Sequence, residues 1–140
     1  ALGRIFARSA VANSESLSDA QKDKWLNAPL RAPVLVAVVA CIQSHVKVPA
    51  QEQRYAAAGA TTNLLHAAHA LNYGAIWRTG DINYRSDVAQ ALGLSVTEGR
   101  QEELLGFVYI GTPKEQPKSR AAYSLGDYVS EFLGGDVEID

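Results

Sequence analysis

Between Gln51 and Gly80 the chain reads QEQRYAAAGATTNLLHAAHALNYGAIWRTG, and this stretch limits the folds open to it more than any other. From Ala56 to Leu71 there is no charge and no proline. Ala57, Ala60, Leu64, Ala68, Leu71 and Ala75 recur at spacings of three and four, which predicts a helix from about Pro49 to Tyr73 with Pro49 as its first residue. A helix so poor in charge is expected to be mostly buried, and its small side chains leave room for a second helix or a cofactor close to its backbone. Tyr73-Gly74 ends it, and the chain turns at once into the apolar run Ala75-Ile76-Trp77 and then Arg78-Thr79-Gly80.

A chain of 140 residues fits one domain, 1–140, able to bury roughly two thirds of its extended surface. The net charge of -2 spreads no field of one sign over the surface, so neither nucleic acid nor an anionic membrane is expected as a partner. No apolar run is long enough to span a bilayer. The single cysteine, Cys41, lies in an apolar run and reads as a buried core thiol. The chain contains no Met and opens inside a helix (Leu2, Ile5, Phe6, Ala7, Val11) with no capping residue, a pattern expected of a longer polypeptide's C-terminal part.

Further along, Ser18 and Gln21 form a capping box for a helix from Asp19 to Asn27, closed by Pro29 and Pro33 with Arg31 between them. Val34 to Ile42 is an unbroken apolar run, as in the central strand of a sheet covered on both faces. After the central helix come a loop at Asp81 to Arg85, a short helix capped by Asp87 and ending at Gly93, and a turn-like stretch from Ser95 to Glu103. Leu104 to Gly111 is the second clear strand. The tail from Tyr123 to Leu133 carries too many large apolar groups to be left unpacked. Helices alternating with covered strands predict a three-layer α/β arrangement, and two convincing strands are too few to close a sheet alone.

Few residues are candidates for chemistry. P-loop, HExxH, paired-cysteine and GxSxG patterns are all absent. His66 and His69 share a helical face with Tyr73, but without a carboxylate or cysteine on that face they read as hydrogen-bonded core imidazoles, neither metal ligands nor catalytic groups. His45 has no evident partner in the sequence. Trp77, Arg78, Thr79 and Gly80 offer an aromatic plane, a fork of donors, a hydroxyl and a close backbone approach, which suits a flat heterocycle with an anionic tail. The competing interpretation is a strand-to-loop transition with Trp77 in the core and Arg78 on the surface. Lys114, Lys118 and Arg120 lie in a loop that reads as solvated, although Lys118 and Arg120 are kept as candidates for a phosphate.

Several pieces in order carry a resemblance: Arg31 to Val39, Lys47-Val48-Pro49 with Glu52-Gln53, Ala57 to Ala68, Gly74 to Gly80, Ala91 to Leu94, and Gly106 to Pro113. Together they resemble the flavin-dependent nitroreductase family, specifically its small bacterial branch. The resemblance implies an α+β fold with a mixed sheet flanked by helices, and an intertwined homodimer with FMN bound between the subunits. It implies that the central helix lines the dimer contact and that Trp77 to Gly80 lies against the flavin. The implied function is a cytoplasmic oxidoreductase that takes hydride from NAD(P)H and reduces nitroaromatic or quinone-like acceptors. The family's N-terminal phosphate-gripping segment has no counterpart here, so the chain is expected to be the C-terminal part of such a domain. The rival expectation is a non-catalytic dimer, or an inactive remnant, with a vacated flavin cleft.

Overall fold

The computed structural model describes residues 1–14, 16–115, 119 and 121–132. Its helices are α1 (Leu2–Ala12), α2 (Asp19–Asn27), α3 (Ala50–Ala70) and α4 (Ser86–Ala91), and its strands are β1 (Val34–Gln43), β2 (Gly74–Arg78), β3 (Val96–Thr97) and β4 (Arg100–Gly111). Short 3-10 turns at Ala28–Arg31, Asp81–Tyr84 and Leu125–Asp127 punctuate the connections. The α2 start matches the local sequence: the Ser18 hydroxyl accepts from the Gln21 amide at 3.3 Å while the Gln21 side chain accepts from the Ser18 amide at 2.9 Å.

β4 is the middle strand, with β1 on one side and β2 on the other, and β3 pairs with its start. Val34 to Ile42, within β1, is therefore not the central strand that its apolar run suggested, but part of the strand at one side of the described sheet. A run apolar on both faces reports that both faces are covered and says nothing about how many neighbours lie in the plane. Among the described residues each of the three ladders is antiparallel, and β1 and β2 run the same way, separated by β4.

Pairing of Val38 with Gly106 and of Val39 with Leu104 leaves Leu105 as an extra residue, a bulge in β4. The bulge resets the alternation, so Leu104 shares a face with Phe107 and Tyr109. On that face Phe6, Ala28, Ile82 and Val88 complete a core, with the Phe6 and Phe107 rings edge-on at 5.2 Å. The Ser9 hydroxyl donates to Asp87 Oδ1 at 2.9 Å and ties α1 to α4. Asp87 thus lies one residue inside α4, and Arg85 occupies the N-cap position assigned to it.

α3 covers the other face, against β1 and β2. Only Thr61 and Ala68 of its 21 residues are buried, so the expectation of a mostly buried helix fails for the single chain: its charge-poor surface has no cover among the described residues. The helix spans Ala50–Ala70 with Pro49 as N-cap, shorter at both ends than expected. Arg54 Nε donates to Glu103 Oε2 at 2.7 Å and anchors its first turns to β4.

Two more expectations are corrected. Cys41 is exposed, near the end of β1 and opposite Glu102. Ser95 to Glu103 is a hairpin, β3 joined to β4 through Glu98-Gly99, with Gly99 at φ +74°. In the tail Tyr123, Leu125, Tyr128, Val129 and Phe132 are exposed on the single chain, and the Tyr123 and Tyr128 rings meet at 5.9 Å. Leu133 lies outside the described residues.

Candidate functional site

β2 ends at the candidate residues, and its register with β4 fixes where they point. Arg78 lies opposite Phe107 and Ile76 opposite Tyr109, whereas Trp77 lies opposite Val108. Alternation therefore sends Arg78 to the face of α1 and α2 and Trp77 to the face of α3. The two residues do not share a pocket. Arg78, Thr79 and Gly80 are brought together, joined by Lys24, Trp25 and Arg31, around a cleft of about 170 Å³. Arg31 and Arg78 also line an adjoining cleft of about 300 Å³ with Pro33, Ile76 and Tyr109.

Arg31 and Lys24 were not read as site residues from the sequence. They lie 47 and 54 positions before Arg78, and only the fold brings them to one cleft. Arg31 did carry a signal, since two prolines hold its segment in place. None of the three cations makes an ion pair among the described residues, whereas Arg54, Arg100 and Lys22 each do. Gly80, at φ +149° with nothing within 4 Å of an added Cβ, leaves its backbone open to a ligand. Three converging cations, an aromatic edge at Trp25 and an open glycine backbone fit an aromatic ligand with polar carbonyls and an anionic arm.

The other candidates resolve separately. His66 and His69 are exposed, not buried, and line a cleft of about 570 Å³ with Tyr73, Asn72 and Glu115. Among the described residues no group of three or more His, Cys, Asp or Glu is placed to hold a metal ion. His45 proves to have partners: its Nδ1 accepts from the amides of Lys47 at 3.1 Å and Val48 at 2.9 Å, and shapes the turn before α3. The Gln53 side chain pairs with both the amide and the carbonyl of Gln43 and braces the same turn. Lys118 and Arg120 lie outside the described residues. Near the β3–β4 hairpin the Ser95 amide and the Arg100 guanidinium hold the Glu102 carboxyl below the usual carboxylate range, and Arg54 does the same for Glu103.

The Nitroreductase family matches residues 2–112, most of the described fold and all of the cleft just built. The chain belongs to the nitroreductase family. Among its relatives is the protein named "Putative NAD(P)H nitroreductase YdjA" in Escherichia coli K12, 39% identical over 92 residues, which cover 66% of this chain and 48% of that protein. The protein of the same name in E. coli O157:H7 matches to the same extent. This family member thus spans about half the length of the curated relatives it matches. Its fold is also that of a nitroreductase-like family protein from Bacillus cereus, with a TM-score of 0.65 over 94% of this chain and 68% of the other, at 17% identity. Among the described residues no helix is long and apolar enough to cross a membrane.

Proposed function

We propose that this nitroreductase-family chain is part of an FMN-dependent, cytoplasmic oxidoreductase that uses NAD(P)H to reduce nitroaromatic or quinone-like acceptors and works as a homodimer. The observation that carries the reading is the convergence of Arg78, Thr79 and Gly80 with Arg31 and Lys24 on one cleft beside an aromatic edge. Arg78 would hold the pyrimidine edge or the phosphate arm through charge-assisted hydrogen bonds, and Arg31 and Lys24 would add charge for the same arm. The Thr79 hydroxyl and the open backbone at Gly80 would complete the polar edge. Trp77 would support from behind, as it lies on the α3 face and not in the cleft. Lys118 and Arg120 remain proposed contacts to the phosphate. The bound flavin would supply the redox chemistry, so the protein's task is to bind, orient and exclude water, and it needs no acid or base among its own side chains.

The small residues along α3, the exposed tail and the outer edge of β1 support a second copy as partner, with α3 against α3. The test is the visible spectrum of the purified full chain before and after NADH or NADPH is added without oxygen. The expected result is a flavin band that bleaches and returns when a quinone or nitroaromatic is supplied. A colourless protein that takes up no added FMN would leave the non-catalytic rival standing.

A further inference from the structure

The end of β2 is seated on a glycine that the flavin reading does not use. Gly106 has φ +143°, and a Cβ added there would stand 2.5 Å from Trp77 Nε1 and 2.7 Å from the Arg78 carbonyl oxygen. Both contacts are closer than real Cβ atoms allow, and one of them is backbone, which cannot swing aside. The β4 bulge at Leu105 lies immediately before it, and the buried Trp77 indole nitrogen has no hydrogen-bond partner among the described residues. Three departures from regular sheet thus fall at one point: a bulge, a glycine outside the usual φ range, and an indole laid across that glycine from the next strand. An aromatic ring covering a glycine on a neighbouring strand fills the space that a side chain would otherwise take, and a bulge beside a site re-aims the residues next to it.

We propose that Gly106 is a positioning residue: its bare backbone seats the Trp77 indole on the α3 face and so fixes the direction in which Arg78, Thr79 and Gly80 leave the sheet toward the cleft. The inference rests on the flavin reading of that cleft. A side chain at 106 pushes on the indole and on the Arg78 carbonyl together, and so rotates the last β2 residue and carries the guanidinium with it. Nothing at Gly106 touches the ligand.

The test compares Gly106→Ala with Gly99→Ala in the full chain. Gly99 also has positive φ, +74°, but nothing stands within 4 Å of an added Cβ, so its variant carries the backbone strain without the collision. Three quantities are read: the melting temperature, the near-ultraviolet circular dichroism of the tryptophans without flavin, and the FMN dissociation constant. Gly106→Ala is expected to alter the indole signal and weaken FMN binding by at least about tenfold, the scale of one lost charge-assisted contact. Gly99→Ala is expected to change the melting temperature alone. Adding Trp77→Phe to Gly106→Ala removes the indole nitrogen and should recover part of the FMN affinity. If Gly106→Ala does not fold, Trp77→Phe alone reads the same seat, and an FMN affinity equal to wild type overturns the inference. An unchanged indole signal with unchanged FMN affinity in a folded Gly106→Ala overturns it as well. Failure of the wild type to bind FMN overturns the flavin reading first and this inference with it, so the two failures are told apart.

Discussion

The two faces of the sheet are covered unequally. On one, α1, α2 and α4 close over Phe107 and Tyr109, and Phe6 and Val88 are left 1% and 0% exposed. On the other, α3 lies across β1 and β2 but turns most of its own surface outward, including Tyr55 at 65% exposure. The first face is complete within one chain. The second buries Ala40, Ile42 and Val108 beneath α3, but the outward side of α3 is rich in alanine with Gly59 and Thr62, small residues that let another backbone come close. Stability is therefore expected to come from the first face and assembly from the second.

The largest effect should come from breaking the closed face. Phe107→Ala removes the ring against which Phe6 packs and should cost about 3 to 5 kcal/mol, read as a drop in the urea midpoint at unchanged slope. On the open face, Ala60→Arg should leave the chain's own fold intact yet weaken self-association by about a hundredfold, roughly 2.7 kcal/mol, as seen in sedimentation. A loss of folding comparable to that of Phe107→Ala would erase the distinction between the faces. Arg78→Ala tests the cleft at the sheet's end: FMN binding should weaken by about 1.5 to 3 kcal/mol with little change in stability, read by quenching of flavin fluorescence. Equal affinity would remove Arg78 from the site.

The smallest effect concerns the tie between the layers. Arg54 holds the folded Glu103 carboxyl below its ordinary range, so the pair's stabilisation is present above the unfolded glutamate value of about 4.3 and lost as pH falls through the lower folded value. Glu103→Gln should thus be less stable than wild type at neutral pH, and the two melting curves should converge in acid. A difference that persists at the acid end would mean that charge is not what joins α3 to β4.

What could be read from the sequence was what neighbouring residues decide among themselves. The Ser18–Gln21 box and the close of α4 near Gly93 both follow from contacts within a few positions. Several of the errors share one cause: sequence patterns report how apolar a segment is, not what covers it. α3 and Cys41 were read as buried on that ground, and Val34 to Ile42 as central. The β3–β4 hairpin was legible in the Glu98-Gly99 turn between Val96-Thr97 and Arg100, but the charged residues around it masked the pattern. At the cleft, Arg78 to Gly80 were found because they are contiguous. Arg31 and Lys24 were not, because the fold alone brings them near. Adjacent Trp77 and Arg78 were assigned to one ligand although strand alternation places them on opposite faces.

Sedimentation of the full chain at micromolar concentration, followed at the visible flavin band after incubation with FMN, tests the open face and the cleft together. The flavin band should sediment with a species of twice the 15.0 kDa chain mass. Protein that sediments as a single chain, with the flavin left behind in solution, would contradict both the second copy on α3 and the flavin in the cleft.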